Sequence, residues 1–296
     1  MALRKKMLAE KAQGAQSLES MVVSGAEGAY EALQLYRSRT IKAKNKGDIN
    51  TALKTIVEGC KVLLKHNYHQ SGVETSSLFI DILNECISEI TPEIRYMIQE
   101  IDDQYPKTLF GRLEFLRGCV KWSIKATGRE LGDPLLNLQI AACLGDIAGS
   151  GKFDKSSIYH FAAGEGPSHL CSKIMESYPN EKDQLERDRL LTLGVCHFLG
   201  VENLRDANEL FTLYHKSHKI KGWNSKDSEL VTFVKYLLLV CTRDAAPLFK
   251  LLVHTYSAHL TFDENVQSLL TGPVGLRMFN IQGRPNVLSM LSSMLN

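Results

Sequence analysis

The sequence predicts an all-α fold, an irregular right-handed α-solenoid of tetratricopeptide-like helix hairpins, and three observations carry it. Apolar residues recur at helical spacing along nearly the whole chain, and no stretch alternates as a strand would. Pro92, Pro106, Pro167, Pro179 and Pro247 all fall at predicted helix boundaries, where a missing N–H is tolerated. Three interhelical turns share one plan: Lys46-Gly47-Asp48 before Ala52, Gly151-Lys152-Phe153-Asp154 before Ser157, and Glu202-Asn203 before Ala207. Each has a small or polar turn, a polar cap and then a small residue that lets the second helix pack closely on the first. Their uneven spacing rules out a strict repeat.

Taken in order, the first 25 residues are mixed polar and predict a frayed leading helix. An amphipathic helix follows from Ala29 to Asn45, then one from Ile49 to Lys65 with Ala52, Ile56, Cys60, Leu63 and Leu64 inward. Ser71-Gly72 reads as the turn before a helix from Glu74 to Ser88. Thr91-Pro92-Glu93 is a helix start, with Thr as cap and Pro at the first position. The next helix is apolar on two rows, Leu109, Leu113, Leu116 and Val120 beside Phe115, Cys119 and Trp122, so it is expected to be buried on more than one side. Beyond Leu131-Gly132-Asp133-Pro134 the helices expected are 135–147, 155–163, 168–178, 185–199, 204–217, 229–241, 246–259 and 264–270, with a last one near Pro285-Asn286.

The 296 residues carry 35 basic and 33 acidic side chains, a net charge of +2. Such balance argues against a general nucleic-acid binder, which needs a surplus of Lys and Arg to displace counterions. No apolar run approaches the roughly 20 residues that span a bilayer, so no direct membrane insertion is expected. The N-terminal Met1-Ala2-Leu3-Arg4-Lys5-Lys6 stretch lacks a signal-peptide core. Seven cysteines, odd in number and without a C-x-x-C, suit free thiols in a reducing compartment, and the cytosol is the expected location.

Catalytic and cofactor motifs fail on inspection. Gly149-Ser150-Gly151-Lys152 resembles the end of a phosphate loop, but Asp146 stands where its first Gly belongs and Phe153 where Ser or Thr would hold Mg²⁺. Gly164-Glu165-Gly166 before a helix would place an acid beside any bound anion. His215 and His218, and His169 with Cys171, lack a second ligand pair for zinc, and read as exposed histidines and core thiols. No nucleophile sits in a strand-to-helix elbow. The expectation is a protein without catalysis, cofactor or metal.

What remains is a basic run. Arg37, Arg39, Lys42, Lys44 and Lys46 occur with no acid among them, and Tyr30, Gln34, Arg37, Ile41 and Lys44 form one helical stripe. Tyr and Arg on such a stripe are typical interface anchors, although a solvated basic face reads equally well. Near the other end, Phe233, Leu237 and Leu238, followed by Phe249 and Leu252, make two helices apolar enough to need a cover. Either the final residues or a partner helix would supply it.

Several segments in a common order resemble the Golgi-to-ER traffic protein 4 family, the scaffold of guided entry of tail-anchored proteins. They are Tyr30 to Arg37, Glu58-Gly59-Cys60, Ser71-Gly72-Val73-Glu74, Lys121-Trp122-Ser123, Leu131 to Pro134, Arg243 to Phe249 and Met278 to Gln282. The resemblance implies a non-enzymatic cytosolic adaptor that serves delivery of tail-anchored proteins to the ER membrane. Residues 1–132 would dock the targeting ATPase through Tyr30, Gln34, Arg37, Lys42, Lys44 and Glu74. Residues 133–296 would hold the N-terminal segment of a ubiquitin-like partner, and through it a tetratricopeptide co-chaperone, using Phe233, Leu237, Leu238, Phe249 and Leu252. Lys121 to Pro134 would be a junction without chemistry of its own. Two departures stand out. Ser17 to Val23 lacks the family's basic residues, and Ile220 to Asp227 is too short for the β-hairpin some members insert. A helical-repeat scaffold of another assembly, or an α-helical enzyme, are the other readings of the same periodicity.

Overall fold

The computed structural model describes residues 18–149, 152–223 and 227–281, and among them every regular element is helical. The chain divides into two compact units, Met1–Leu136 and Asn137–Asn296.

In the first unit, residues 18–23 are helical, followed by α1 (Ala26–Asn45), α2 (Ile49–Lys65), α3 (His69–Cys86), α4 (Pro92–Asp102) and α5 (Phe110–Thr127). Helix α1 packs on α2 and α3, α2 on α3 and α4, and both α3 and α4 on α5. Contact with the next helix and the next but one is the packing of stacked hairpins. The turn plan behaves as the sequence implies. Asp48 Oδ1 accepts the Thr51 N–H at 3.1 Å as the cap of α2, and Ala52 behind it is fully buried. At Gly59 the two helices come so close that a Cβ would lie 2.8 Å from Tyr36 Cγ.

Helix α3 begins at His69, not at Glu74. Gly72 is no break: it is buried within the helix, and a Cβ there would sit 2.4 Å from Leu64 Cδ2. Close approach to α2, not a turn, is what the glycine serves. Helix α4 starts as expected, with Thr91 accepting from the Ile94 N–H at 3.3 Å, but ends at Asp102, ahead of Pro106.

Trp122 on α5 is 1% exposed and donates its indole N–H to the Ile87 carbonyl at 3.0 Å, tying α5 to the end of α3. The Gly-Asp-Pro segment beside it is a capping device. Gly132 takes φ 73, and the Asp133 N–H donates to Ser123 Oγ at 2.8 Å. Asp133 then accepts from the Leu135 and Leu136 N–H groups at 3.1 and 3.2 Å, and from Arg95 at 2.7 Å. These bonds fix the first turn of α6 (Pro134–Ala148), whose residues up to Leu136 belong to the first unit.

In the second unit α6 continues into α7 (Ser157–Ala163), α8 (Pro167–Ser177), a 3₁₀ turn (Glu181–Asp183), α9 (Gln184–Gly200), α10 (Leu204–Ile220), α11 (Glu229–Thr242), α12 (Ala246–Thr255), a 3₁₀ turn (His259–Phe262), α13 (Glu264–Leu269), a π turn (Leu270–Val274) and α14 (Gly275–Phe279). Helix α9 is the centre, packed by α7, α8, α10, α11, α13 and the π turn, and buried nearly all round. A Cβ on its Gly194 would lie 2.9 Å from Leu170 and 3.0 Å from Leu210. Two ends differ from expectation. Helix α12 stops at Thr255, and the helical path from Glu264 runs on through Pro273 to Phe279. The wide π turn accommodates a proline that would break an α-helix. The helix expected near Pro285 lies outside the described residues.

Buried polar groups in this unit are concentrated at the start of α9. Arg187, fully buried, donates to the carbonyls of Tyr178 at 2.9 Å, Glu181 at 3.2 Å and Asn180, and its guanidinium lies 4.0 Å from the Trp223 ring centroid. Next to it the Tyr214 hydroxyl donates to Asp188, whose carboxyl burial pushes upward in pKa. His218 is not an exposed histidine: its ring packs 4.4 Å from Tyr214 and edge-on to Trp223 at 5.2 Å.

At the far end of α9, burial depresses the His197 pKa from 6.5 to about 4, against the pull of Asp263. The unfolded chain therefore takes up this proton near pH 6.5 and the folded protein only near pH 4. The stabilisation is complete above pH 6.5 and is lost as pH falls to 4, by about 2–3 kcal/mol. Denaturant midpoints measured above and below this window should show wild type losing that much more stability than His197→Gln.

Candidate functional site

Helix α1 turns one row inward, Ala29, Leu33, Tyr36 and Thr40, and the row one residue later outward. That outer row is Tyr30, Gln34, Arg37 and Ile41, with Tyr30 62% and Ile41 44% exposed. Gln34, Arg37, Ser38, Ile41, Lys42, Asn45 and Lys46 line a shallow, open groove along it. Five of these are named by the basic run and the stripe in the sequence; Ser38 and Asn45 are not, and sit four residues after Gln34 and Ile41, on the adjoining row.

Helix α3 places acids against the same surface. Arg37 faces Glu74 at 3.7 Å, both half exposed, so the two expected contact residues do come together. Lys44 is bonded to Glu85, which raises its pKa and turns it away from the groove and toward α3. Arg39, Lys42 and Lys46 form no salt bridge among the described residues, which leaves them as the uncommitted cations of the stripe. Just before α1, Glu19 pairs with Lys65 at 3.0 Å and His66 at 3.3 Å, and these bonds lower its pKa. The acid in this otherwise unbasic segment is thus used to fasten residues 18–23 to the end of α2.

The apolar set in the second unit needs correction. Phe233, Leu237, Leu238, Phe249 and Leu252 are all buried in that unit's own core. Two of them reach a groove: Phe249 lines one with Lys250, Val253 and Leu270, and Leu252 lines another with Tyr236, Leu239, Arg243, Leu248 and Leu251. Helix α11 is apolar on every row from Phe233 to Cys241 except at Lys235, so no polar stripe marks its outer face in the sequence. The exposed residues Tyr236, Leu239, Leu248 and Leu251 are the ones a partner would meet.

Nothing in either place gathers the groups that bond-making chemistry requires. Among the described residues no cluster of His, Cys, Asp or Glu has the arrangement of a metal site. No described helix is long and apolar enough to cross a membrane. The buried thiols of Cys60, Cys119 and Cys196 are pushed up in pKa by desolvation, the opposite of an activated nucleophile. Glu165, at φ 52, faces Arg205 at 3.6 Å. Cations, a phenol and amides over an open groove are the chemistry of recognition.

The Golgi to ER traffic protein 4 family model matches residues 46–296. Among curated proteins, Protein GET4 of Arabidopsis thaliana is 26% identical over 288 residues, covering 86% of each chain. The Golgi to ER traffic protein 4 homolog of Dictyostelium discoideum is 24% identical, covering 90% of this chain and 84% of its own. The crystal structure of C. therm. Get4 matches with a TM-score of 0.76 at 20% identity, over 95% of this chain and 94% of the other, and shares the all-helical hairpin fold. The chain belongs to the Golgi to ER traffic protein 4 family.

Proposed function

We propose that this chain is a non-catalytic adaptor in Golgi-to-ER traffic, bridging the targeting ATPase of the tail-anchored pathway to a ubiquitin-like partner and its co-chaperone in the cytosol. The observation that carries the reading is the α1 stripe. Arg37 and the unpaired Lys42 and Lys46 line one open groove, with the exposed Tyr30 on the same helical row, a surface fit for an acidic protein face. Arg37 is held toward Glu74 by a pair too exposed to be worth more than about 1 kcal/mol, so a partner carboxylate can take it over at little cost. The ubiquitin-like partner is assigned to the groove of Tyr236, Leu239, Leu248 and Leu251. Family membership supports the pathway, and the separation of the two surfaces into different units supports the bridge.

Arg37→Glu reverses the central charge and sets a second carboxylate beside Glu74. It should weaken ATPase binding by about 1–2 kcal/mol at low salt, with a shallower salt dependence. Titration calorimetry against the ATPase measures this. Unchanged affinity would remove Arg37 from the interface.

A further inference from the structure

Across the first unit, charges on neighbouring hairpins pair by one rule. Lys54 and Lys61 on α2 reach Glu93 and Glu100 on α4 at 3.7 and 2.7 Å, and Arg37 and Lys44 on α1 reach Glu74 and Glu85 on α3. In each pair the base stands on the earlier helix and the acid on the next but one. The acids of α3 follow a single helical stripe, Glu74, Asp81 and Glu85, and this stripe meets that of Arg37, Ile41 and Lys44 on α1.

The two α1–α3 pairs differ in kind. Arg37 stands 3.7 Å from Glu74, too far for a hydrogen bond, and still lines the groove. Lys44 donates a hydrogen bond to Glu85, and Glu85 above all, with Asp81 one turn before it, raises the Lys44 pKa. Lys44 does not line the groove, although Ile41, Asn45 and Lys46 on either side of it do. Lys42 and Lys46 continue the row of Gln34 and Ser38 and line the groove without an ion pair. The groove is thus lined by three cations of α1, and Glu85 holds the fourth away from it.

A fourth cation matters more to a flexible acidic chain than to a folded acidic face. A flexible chain can set a carboxylate against every cation it meets, whereas a folded surface pairs only with cations whose spacing matches its own. We propose that Glu85 is a specificity-determining residue of this groove: by holding Lys44 against α3 it withholds a cation that would otherwise draw in acidic chains in general. Glu85 acts so without lining the groove itself, on the reading that the groove docks the ATPase.

The Glu85 side chain is 58% exposed, so Glu85→Gln removes its charge without disturbing the interior. Wild type, Glu85→Gln, Lys44→Gln and the double variant are compared in two measurements: anisotropy of a fluorescein-labelled oligo-glutamate peptide at low salt, and titration calorimetry against the ATPase. Glu85→Gln should bind the peptide about three- to ten-fold more tightly but the ATPase less than about two-fold more tightly, and added salt should shrink the gain. In the Lys44→Gln background most of that gain should vanish, and Lys44→Gln alone should leave ATPase affinity within about two-fold of wild type. A gain that persists without Lys44 would assign the effect to bulk charge. A loss of ATPase affinity in Lys44→Gln as large as in Lys42→Gln would make Lys44 a contact. Either result overturns the proposal, as does no gain in Glu85→Gln. Failure of the docking reading looks different: ATPase affinity would then ignore both Arg37→Glu and Lys42→Gln. The peptide cycle needs no ATPase and still decides whether Glu85 withholds Lys44.

Discussion

Trp122→Ala should destabilise the first unit by about 3–5 kcal/mol, the range for removing a large aromatic side chain from a packed interior. The side chain is 1% exposed, and its loss leaves a cavity that the neighbouring helices cannot fill without moving. It also strips the Ile87 carbonyl of its donor at the very end of α3, where no further helical bond is available to replace it. Trp122→Phe separates the two terms: it keeps most of the packing and loses the hydrogen bond, and should cost about 1–2 kcal/mol. Denaturant unfolding of both variants, followed by far-UV circular dichroism, checks the ordering. A cost for Trp122→Ala below that of Trp122→Phe would show that the interior had repacked and that the tie to Ile87 is the larger part. Because Arg37 and its groove lie on α1, which makes no bond to this indole, the proposed ATPase binding should keep its affinity per folded molecule at temperatures where the variant remains folded.

How much of this was legible beforehand differs between elements for identifiable reasons. Helices with a polar row and a capping residue were placed almost to the residue, as at Thr91-Pro92 and at Asn203, whose side chain accepts the Asp206 N–H at 3.0 Å. Glycine misled where its role was tertiary. Gly72 looks like a turn in one dimension, and only the packed Leu64 side chain shows that it makes room for a neighbour. The helix expected over 264–270 stopped short of the observed path, because the π turn that carries the chain through Pro273 does not follow the 3.6-residue period. The basic stripe was readable because α1 has a clean inner row to be measured against. The apolar site was not, because α11 has no such contrast, and the largest apolar side chains went to the core. The direction of the cations was also hidden: nothing along the sequence says that Lys44 is taken by Glu85 while Lys42 and Lys46 are left to the groove.

The second large effect is expected at Arg187, a residue no motif marks. Burying a guanidinium is costly, and this one is offset by three backbone carbonyls of the 178–181 turn and by the face of Trp223. Arg187→Ala leaves those carbonyls inside the protein without donors and removes the platform under the indole, at an expected cost of about 3–5 kcal/mol. Arg187→Lys should recover less than half of this, since one ammonium cannot reproduce a planar fork that bonds three acceptors and stacks at once. Trp223→Leu keeps the hydrogen bonds of Arg187, loses its stacking and the edge contact with His218, and should cost about 1–2 kcal/mol. The chain has two tryptophans, one in each unit, so a Trp122→Phe background makes Trp223 emission a reporter of the second unit alone. In that background Arg187→Ala should shift the emission to the red and lower the unfolding midpoint of the fluorescence transition. The same substitution made with Trp122 as the only tryptophan should leave the native emission of the first unit where it was. Movement of both reporters together would mean that the two units unfold as one, and that the Arg187 network stabilises the whole chain, not only the half that contains it.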